Sequence, residues 1–174
     1  VKISKTIKVN GRTLKVTGIA ANAFKGNKKM TSVTIGSNVK KIGSGAFMNC
    51  RNLTRVTVTA KGLTSIGKNA FKGDRKLKTV NLRKVKALKK VGKGAFKGIS
   101  KKVTVKVPKQ KKKAYSKLLK KAGIENVVML TGDSQQAAEV TAAKLGITKC
   151  FAQVLPEDKH RYVEQLKADG HRVI

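Results

Sequence analysis

The chain has 174 residues, of which 41 are Lys or Arg and only 8 are Asp or Glu, so its formal net charge is +33. Because 40% of the residues are hydrophobic, a packed core can form, which argues against wholesale disorder. No apolar run reaches the roughly 18 to 20 residues that cross a bilayer, and two cysteines are too few for a disulfide framework or, by themselves, a structural zinc site.

The charge divides the chain into two segments. Residues 1–124 contain 35 Lys and Arg and a single acid, Asp74, whereas residues 125–174 contain 6 Lys and Arg and 7 acids. Two such different compositions indicate segments with separate histories. We place the break near Gly123 and Glu125.

The first predicted element is a β-hairpin. Residues 6–9 and 12–16 have alternating polar and apolar side chains and are joined by Asn10-Gly11. Asn-Gly favours the positive φ angles of a two-residue turn. We expect this hairpin to cover the open edge of the repeats that follow.

A repeat of about 24 residues then occurs four times. Each unit has an Ala-Phe pair, with Ile or Val five residues before the Phe. The four Phe residues, Phe24, Phe47, Phe71 and Phe96, are 23, 24 and 25 residues apart. Repeats of this length are typical of solenoids, in which each unit buries its apolar side chains against its neighbours.

Each unit also contains a short run in which β-branched and polar residues alternate. This pattern predicts one strand per unit, with the middle residue facing outward. The runs are Val33-Thr34-Ile35, Val56-Thr57-Val58, Val80-Asn81-Leu82 and Val103-Thr104-Val105. The fourth unit has two residues fewer between its Phe and this run.

A helix is predicted over residues 110–122, ended by Gly123. Its apolar residues Tyr115, Leu118, Leu119 and Ala122 have helical spacing. A basic amphipathic helix can lie on a membrane surface or against a partner. We favour a C-terminal cap, because a solenoid needs its ends closed.

The predicted outward residues Thr34, Thr57, Asn81 and Thr104 form a candidate binding strip flanked by lysines. A surface of this charge attracts protein or polymer partners that are anionic, including nucleic acid without sequence preference. Dedicated nucleic-acid recognition is disfavoured, because the segment is poor in Arg and its Phe residues lie at core positions. The alternative is a lysine face that serves solubility. Cys50 is interpreted as a small buried hydrophobe.

These residues resemble the BspA-like leucine-rich repeats of bacterial surface proteins. The motif I-G-x-x-A-F-x-x-C/G-x-x-L-x-x-V-x-V is clearest from Ile42 to Val58. The resemblance covers residues 1–124 and implies a non-catalytic adhesion or interaction module outside the cell or on its wall. It implies a leucine-rich-repeat β-solenoid over residues 1–107, with the N-terminal hairpin, and a capping helix and junction over residues 108–124.

The second segment has the pattern of a partial α/β unit. An apolar run, Val127-Val128-Met129-Leu130, predicts a buried parallel strand that ends at Thr131-Gly132-Asp133. Helices are predicted over residues 135–145 and from Pro156 to Gly170, and Arg172 begins another strand. Open strands of such a fragment could recruit a second copy of the chain.

The run V-V-M-L-T-G-D-S, followed by A-x-x-L-G-I and V-L-P-E-D-K, resembles the phosphorylation domain of heavy-metal P-type ATPases, which is of the haloacid-dehalogenase class. The resemblance covers residues 125–174. It implies that Thr131 hydrogen-bonds a phosphoryl group, that Lys159 neutralises phosphate charge, and that Gly132 and Asp133 shape the loop. The cofactor would be Mg·ATP, and only if the fragment is still competent; no metal site is expected.

The sequence lacks the family's nucleophile motif D-K-T-G, and its magnesium motif G-D-G-x-N-D would begin just past Ile174. We therefore expect no phosphoenzyme and no enzymatic activity. The repeat family functions outside the cell and the ATPase domain in the cytosol, so a chimeric chain with a catalytically dead fragment explains the junction best. The alternative is a copper, zinc or cadmium ATPase fragment that still binds phosphate or nucleotide.

Overall fold

The structure is a computed structural model that describes residues 1–124 and, beyond them, residues 128–130, 149–151, 163–165 and 168. In chain order its strands are β1 (Lys2–Ile3), β2 (Thr6–Val9), β3 (Arg12–Lys15), β4 (Gly18–Ile19), β5 (Ser32–Ile35), β6 (Lys41–Ile42), β7 (Arg55–Val58), β8 (Ser65–Ile66), β9 (Thr79–Asn81), β10 (Lys90–Val91), β11 (Thr104–Lys106), β12 (Val128–Leu130) and β13 (Lys149–Phe151). A 3₁₀ turn, Lys109–Lys111, precedes the helix α1 (Lys112–Lys121).

The four repeats form the predicted β-solenoid. Each turn contributes one strand of three or four residues to a five-stranded parallel sheet, in the order β1-β5-β7-β9-β11, whose edge strand β1 has two residues and precedes the first turn. Each turn also contributes a two-residue strand to a second parallel sheet, β4-β6-β8-β10. Successive turns are in close backbone contact: a Cβ atom at Gly67 would lie 2.5 Å from the Ser44 nitrogen, so only glycine fits there.

The core is a single cluster that runs along the solenoid axis. The Phe rings of successive units stack nearly parallel, with centroids 5.2, 5.1 and 5.4 Å apart. Phe47, Phe71 and Phe96 are fully buried, whereas Phe24, at the open end of the stack, is half-buried. The prediction that the Phe residues occupy core positions is confirmed.

The N-terminal hairpin forms as predicted. Strands β2 and β3 are antiparallel, with Ile7 paired to Leu14, and Asn10 and Gly11 have φ angles of 48° and 76°. The edge of the five-stranded sheet is occupied by β1, a strand that the sequence did not indicate. Ile7, Val9 and Leu14 on the hairpin remain 44–50% exposed.

The fourth unit has a different strand register from the one we expected. Val105, not Val103, pairs with Val80, and it follows Phe96 by nine residues, as Val80 follows Phe71. The same spacing separates Phe24 from Val33 and Phe47 from Val56. The fourth unit is therefore not two residues short. The stacked turns fix the distance from each Phe to the first inward strand residue, and the alternating pattern fits either register.

The helix α1 closes the C-terminal end of the solenoid. Tyr115 and Leu119 are buried, and Leu118 packs against the core. The Tyr115 hydroxyl donates to the Val85 carbonyl at 3.2 Å and accepts from the Leu88 N–H at 3.1 Å. These two buried hydrogen bonds tie the helix to the last complete turn.

Beyond residue 124, β12 and β13 pair in parallel, with Val128 opposite Lys149. β12 coincides with the predicted apolar strand, whereas β13 is a strand that the sequence did not predict. Residues 163–165 are helical and fall within the second predicted helix. The predicted helix over 135–145 and the strand from Arg172 lie outside the described residues.

Candidate functional site on the five-stranded sheet

The outward face of the five-stranded sheet carries a row of aligned polar side chains. Strand register places one residue of each strand in this row, which we call the strand-face row: Lys2, Thr34, Thr57, Asn81 and Lys106. Neighbouring strands lie about 4.8 Å apart, so the row spans roughly 19 Å. Its three central residues are half-buried and its two terminal lysines are exposed. A cation therefore lies at each end of a track of hydroxyl and amide groups.

Three of the four predicted strand-face residues, Thr34, Thr57 and Asn81, lie together in this row, but Thr104 does not. Thr104 pairs with Thr79, in a second row on the same face. The displacement follows from the strand register of the fourth unit, which places Lys106 opposite Asn81. The Thr104 hydroxyl is buried and has no hydrogen-bond partner among the residues that the structure describes.

Arginine, rather than lysine, accompanies the centre of the row. Arg55 pairs with Thr79 in the second row and is exposed. Arg83 is exposed just past β9, and its backbone N–H donates to the Asn81 side-chain oxygen at 3.1 Å. Guanidinium groups bind carboxylates through two parallel hydrogen bonds, so this face can select acidic groups as well as attract them.

The one acid of residues 1–124, Asp74, does not reach the surface. It is fully buried, and one carboxyl oxygen accepts the Cys50 N–H at 2.8 Å. Burial raises the pKa of Asp74 to about 8, so this carboxyl is mostly protonated at neutral pH. The repeat segment therefore has no exposed carboxylate to offset its 35 basic residues.

Cys50 is buried, as predicted, but it also takes part in hydrogen bonds. Its thiol donates to the Phe24 carbonyl at 3.0 Å. Burial, followed by the nearby Asp74 carboxyl, raises the pKa of Cys50 to about 11, which keeps the thiol protonated and unreactive. Sequence reasoning had missed the role of Asp74, although the residue stands three positions after Phe71, where Cys50 stands relative to Phe47.

The phosphate-site candidates Thr131, Gly132, Asp133 and Lys159 lie outside the described residues. Among the residues that are described, no cluster of three or more His, Cys, Asp or Glu could hold a metal ion. In that same part of the chain, no helix is long and apolar enough to span a membrane.

Comparison with known proteins supports both resemblances. A family model for the BspA type leucine-rich repeat region, in six copies, matches residues 15–135. The crystal structure of a leucine-rich repeat protein from Bacteroides ovatus has a TM-score of 0.53 and 32% identity, covering 62% of this chain and 29% of that one. A second leucine-rich repeat protein, from Bacteroides capillosus, has a TM-score of 0.51 and 27% identity, covering 61% of this chain and 74% of that one.

Curated relatives match a shorter stretch. The copper-exporting P-type ATPase of Legionella pneumophila is 54% identical over 52 residues, which is 30% of this chain and 7% of that protein. The silver exporting P-type ATPase of Salmonella typhimurium is 51% identical over 57 residues, which is 33% of this chain and 7% of that protein. The chain thus spans about 7% of the length of these relatives.

Proposed function

The chain belongs to the BspA-type leucine-rich repeat family, and from this premise we propose that it is a non-catalytic interaction module. Its strand face would bind an anionic polymer or an acidic protein surface. The repeats place polar side chains in register on one sheet while the apolar side chains are buried between turns. Regular sheet faces of this kind are the extended binding surfaces that solenoid proteins use.

The observation that carries this proposal is the absence of any exposed carboxylate in residues 1–124. Residues 1–124 contain 35 of the 41 basic residues of the chain, and their single acid is buried and mostly protonated at neutral pH. The surface of residues 1–124 therefore carries a large excess of positive charge, which attracts anionic partners over distances of about a Debye length. Arg55 and Arg83 add guanidinium groups to the strand face, next to its row of hydroxyl and amide groups.

A dedicated nucleic-acid function fits less well. Base stacking requires exposed aromatic rings, but the Phe rings of the repeats stack on one another inside the solenoid. Nucleic acid would then bind through its charge alone, and its affinity would fall steeply with added salt.

The test is binding to poly-L-glutamate at increasing NaCl concentration, with two double variants of equal charge. Arg55→Gln/Arg83→Gln removes both guanidinium groups beside the row, whereas Arg51→Gln/Arg75→Gln removes two exposed guanidinium groups from turns outside the sheet. Exposed ion pairs contribute about 0.2–1 kcal/mol each, so we expect the first variant to bind about three- to tenfold more weakly and the control to change less than about twofold. Equal weakening in both variants would leave only diffuse attraction and contradict a strand-face site.

For residues 125–174 we propose descent from the phosphorylation domain of a metal-transporting ATPase, joined to the repeats as a chimera and inactive in this chain. Support comes from the motifs at Thr131-Gly132-Asp133 and Lys159 and from relatives matched over a stretch of similar length. No D-K-T-G occurs in the 174 residues, so the aspartyl nucleophile of this chemistry is missing from the chain.

The second candidate function is residual phosphate or nucleotide binding by that segment, favoured by the 54% identity of the match. A hydroxyl donor and a cation, which Thr131 and Lys159 would supply, would stabilise phosphoryl charge. Mg·ATP binding should be measured by calorimetry at low and high salt in the full chain, in Thr131→Ala and Lys159→Ala, and in the control Lys144→Ala. Salt-resistant binding lost only in the first two variants supports this candidate. Binding that disappears with salt and ignores all three substitutions excludes it.

A further inference from the structure

A pocket of about 370 Å³ opens at the corner where the outward sheet face meets the N-terminal edge strand. Its volume lies within the range of small-molecule sites, roughly 300–1,000 Å³. Two lysines and several hydroxyl-bearing residues line it. They include Lys2, Lys5, Ser4, Thr6, Thr34 and Ser37.

The walls of this pocket are held by backbone contacts. A Cβ atom at Gly36 would lie 2.6 Å from the Ile3 carbonyl oxygen, so the segment around Ile3 rests directly on the turn that follows β5. The Asn38 side-chain amide donates to the Lys5 carbonyl at 3.0 Å. The backbone nitrogen of Val1 donates to the Ser32 carbonyl at 2.7 Å. These contacts hold the backbone of residues 1–5, from which Lys2 and Lys5 line the pocket.

The chemistry of the lining favours a tetrahedral oxyanion over a planar carboxylate. Lysine binds phosphate as a point charge, whereas arginine forms bidentate hydrogen bonds with carboxylates. No arginine lines the pocket. Hydroxyl groups can donate to the remaining oxygens. No acidic residue lines the pocket, so nothing in its wall repels an anion.

We propose that this corner pocket binds one phosphate or sulfate group of an anionic ligand, with room for the unit that carries the group. The pocket shares Lys2 and Thr34 with the strand-face row, so a bound group would fix one end of a ligand lying along the sheet. This site goes beyond the proposed function, because it requires tetrahedral recognition at one corner rather than attraction to the whole face.

The test is an NMR titration of the full chain with sodium sulfate and with inorganic phosphate, at constant ionic strength maintained with NaCl. Two matched pairs of variants separate the pocket from the general field. Lys2→Gln is compared with Lys101→Gln, an exposed lysine in a turn, and Thr34→Val with Thr13→Val, an exposed threonine of the hairpin; both controls lie outside the pocket and outside the strand-face row. Thermal unfolding of each variant verifies that it folds.

We expect saturable shifts at Thr34 and Gly36, weakened at least fivefold by Lys2→Gln and at least twofold by Thr34→Val. The two controls should change affinity by less than twofold. Non-saturating shifts spread over many lysines, or equal losses in both members of each pair, would overturn the proposal.

Further titrations identify the kind of molecule that carries the phosphate or sulfate group. A sugar phosphate and a sulfated sugar that bind more tightly than the free ions indicate an anionic glycan, and equal affinities indicate a site for the free ion. Poly-L-glutamate lacks a tetrahedral oxyanion, so its binding tests the strand face independently. Loss of one binding activity with retention of the other shows which of the two proposals fails.

Discussion

At the scale of single residues, the position three residues after each Phe shows how a polar side chain is accommodated in the solenoid through hydrogen bonds to backbone N–H groups. Asn27 occupies it in the first unit, Cys50 in the second, Asp74 in the third and Ile99 in the fourth. The Asn27 side-chain oxygen accepts the N–H groups of Lys29 and Met30, both at 2.9 Å. Asp74 instead accepts the N–H of Cys50 in the preceding turn. The carboxyl thus satisfies a buried backbone donor, but its second oxygen has no partner among the described residues.

Asp74 gives the fold a specific dependence on pH. Its pKa is about 8 in the folded state and about 3.9 in an unfolded chain, so between these values only the folded state holds the proton. The stability contributed by the neutral carboxyl is complete below about pH 4 and is lost as the pH rises toward 8. We expect Asp74→Asn to remove this loss, because the amide keeps an oxygen acceptor for Cys50 and does not ionise.

The measurement is urea unfolding at pH 5, 7 and 9. The difference in stability between Asp74→Asn and the parent chain should shift in favour of the variant as the pH rises, while other titrating groups cancel in that difference. Asp74→Ala serves as a control, since it removes the shorter of the two hydrogen bonds of the Cys50 N–H, which also donates to the Phe47 carbonyl at 3.2 Å, and should cost about 0.5–1.5 kcal/mol at low pH. Parallel pH profiles for Asn and Asp would refute the assignment.

At the scale of elements, the Phe stack ties successive turns together. Phe71 lies between Phe47 and Phe96, with centroid distances of 5.1 and 5.4 Å. Phe24 contacts only one ring of the stack, Phe47, and is half-buried. A residue inside the stack therefore loses more contacts on truncation than one at its end.

We expect Phe71→Ala to reduce the free energy of unfolding by about 3–5 kcal/mol, as is usual for a buried Phe. Phe24→Ala should cost clearly less, because solvent already reaches its ring. Chemical denaturation of both variants provides the comparison. Equal losses would mean that the stack does not act as a continuous core element.

At the scale of the whole molecule, the solenoid ends at the helix rather than at the last strand. The N–H of each Phe donates to the alanine carbonyl of the next turn: Phe24 to Ala46, Phe47 to Ala70 and Phe71 to Ala95. Phe96 donates in the same way to Ala122, which follows α1. Residues 122–124 thus take the place of a next turn, and Ile124 is fully buried.

This arrangement predicts that residues 1–124 fold without the C-terminal segment. A chain truncated after Ile124 should keep the unfolding midpoint of the full chain within about 2 °C. Truncation after Pro108 exposes the last turn and should lower the midpoint by more than 10 °C, since capping units are required in solenoids. Calorimetry of the full chain and the two truncated chains measures these unfolding midpoints. A large loss on removing residues 125–174 would show that this segment stabilises the repeats.

The repeat, the hairpin turn and the capping helix could all be predicted from the sequence. These follow from local rules: the spacing of Phe residues, the positive φ of Asn-Gly, and helical spacing ending at a glycine. The prediction of buried Phe and Cys50 needed only the repeat alignment. The solenoid class followed as well, because a unit of about 24 residues cannot bury its apolar side chains alone.

The membership of the strand-face row could not be predicted from the sequence, because it depends on how neighbouring turns pack. Apolar and polar residues alternate from Val103 to Lys106, so either Val103 or Val105 could align with Val80. The contact of the fourth turn with the third aligns Val105 with Val80 and places Lys106 in the row. The pocket beside β1 and the burial of Asp74 also depend on how turns stack, since both join residues from different parts of the chain. A periodic sequence fixes which residues point inward, but alignment across the sheet is a property of neighbouring turns in contact.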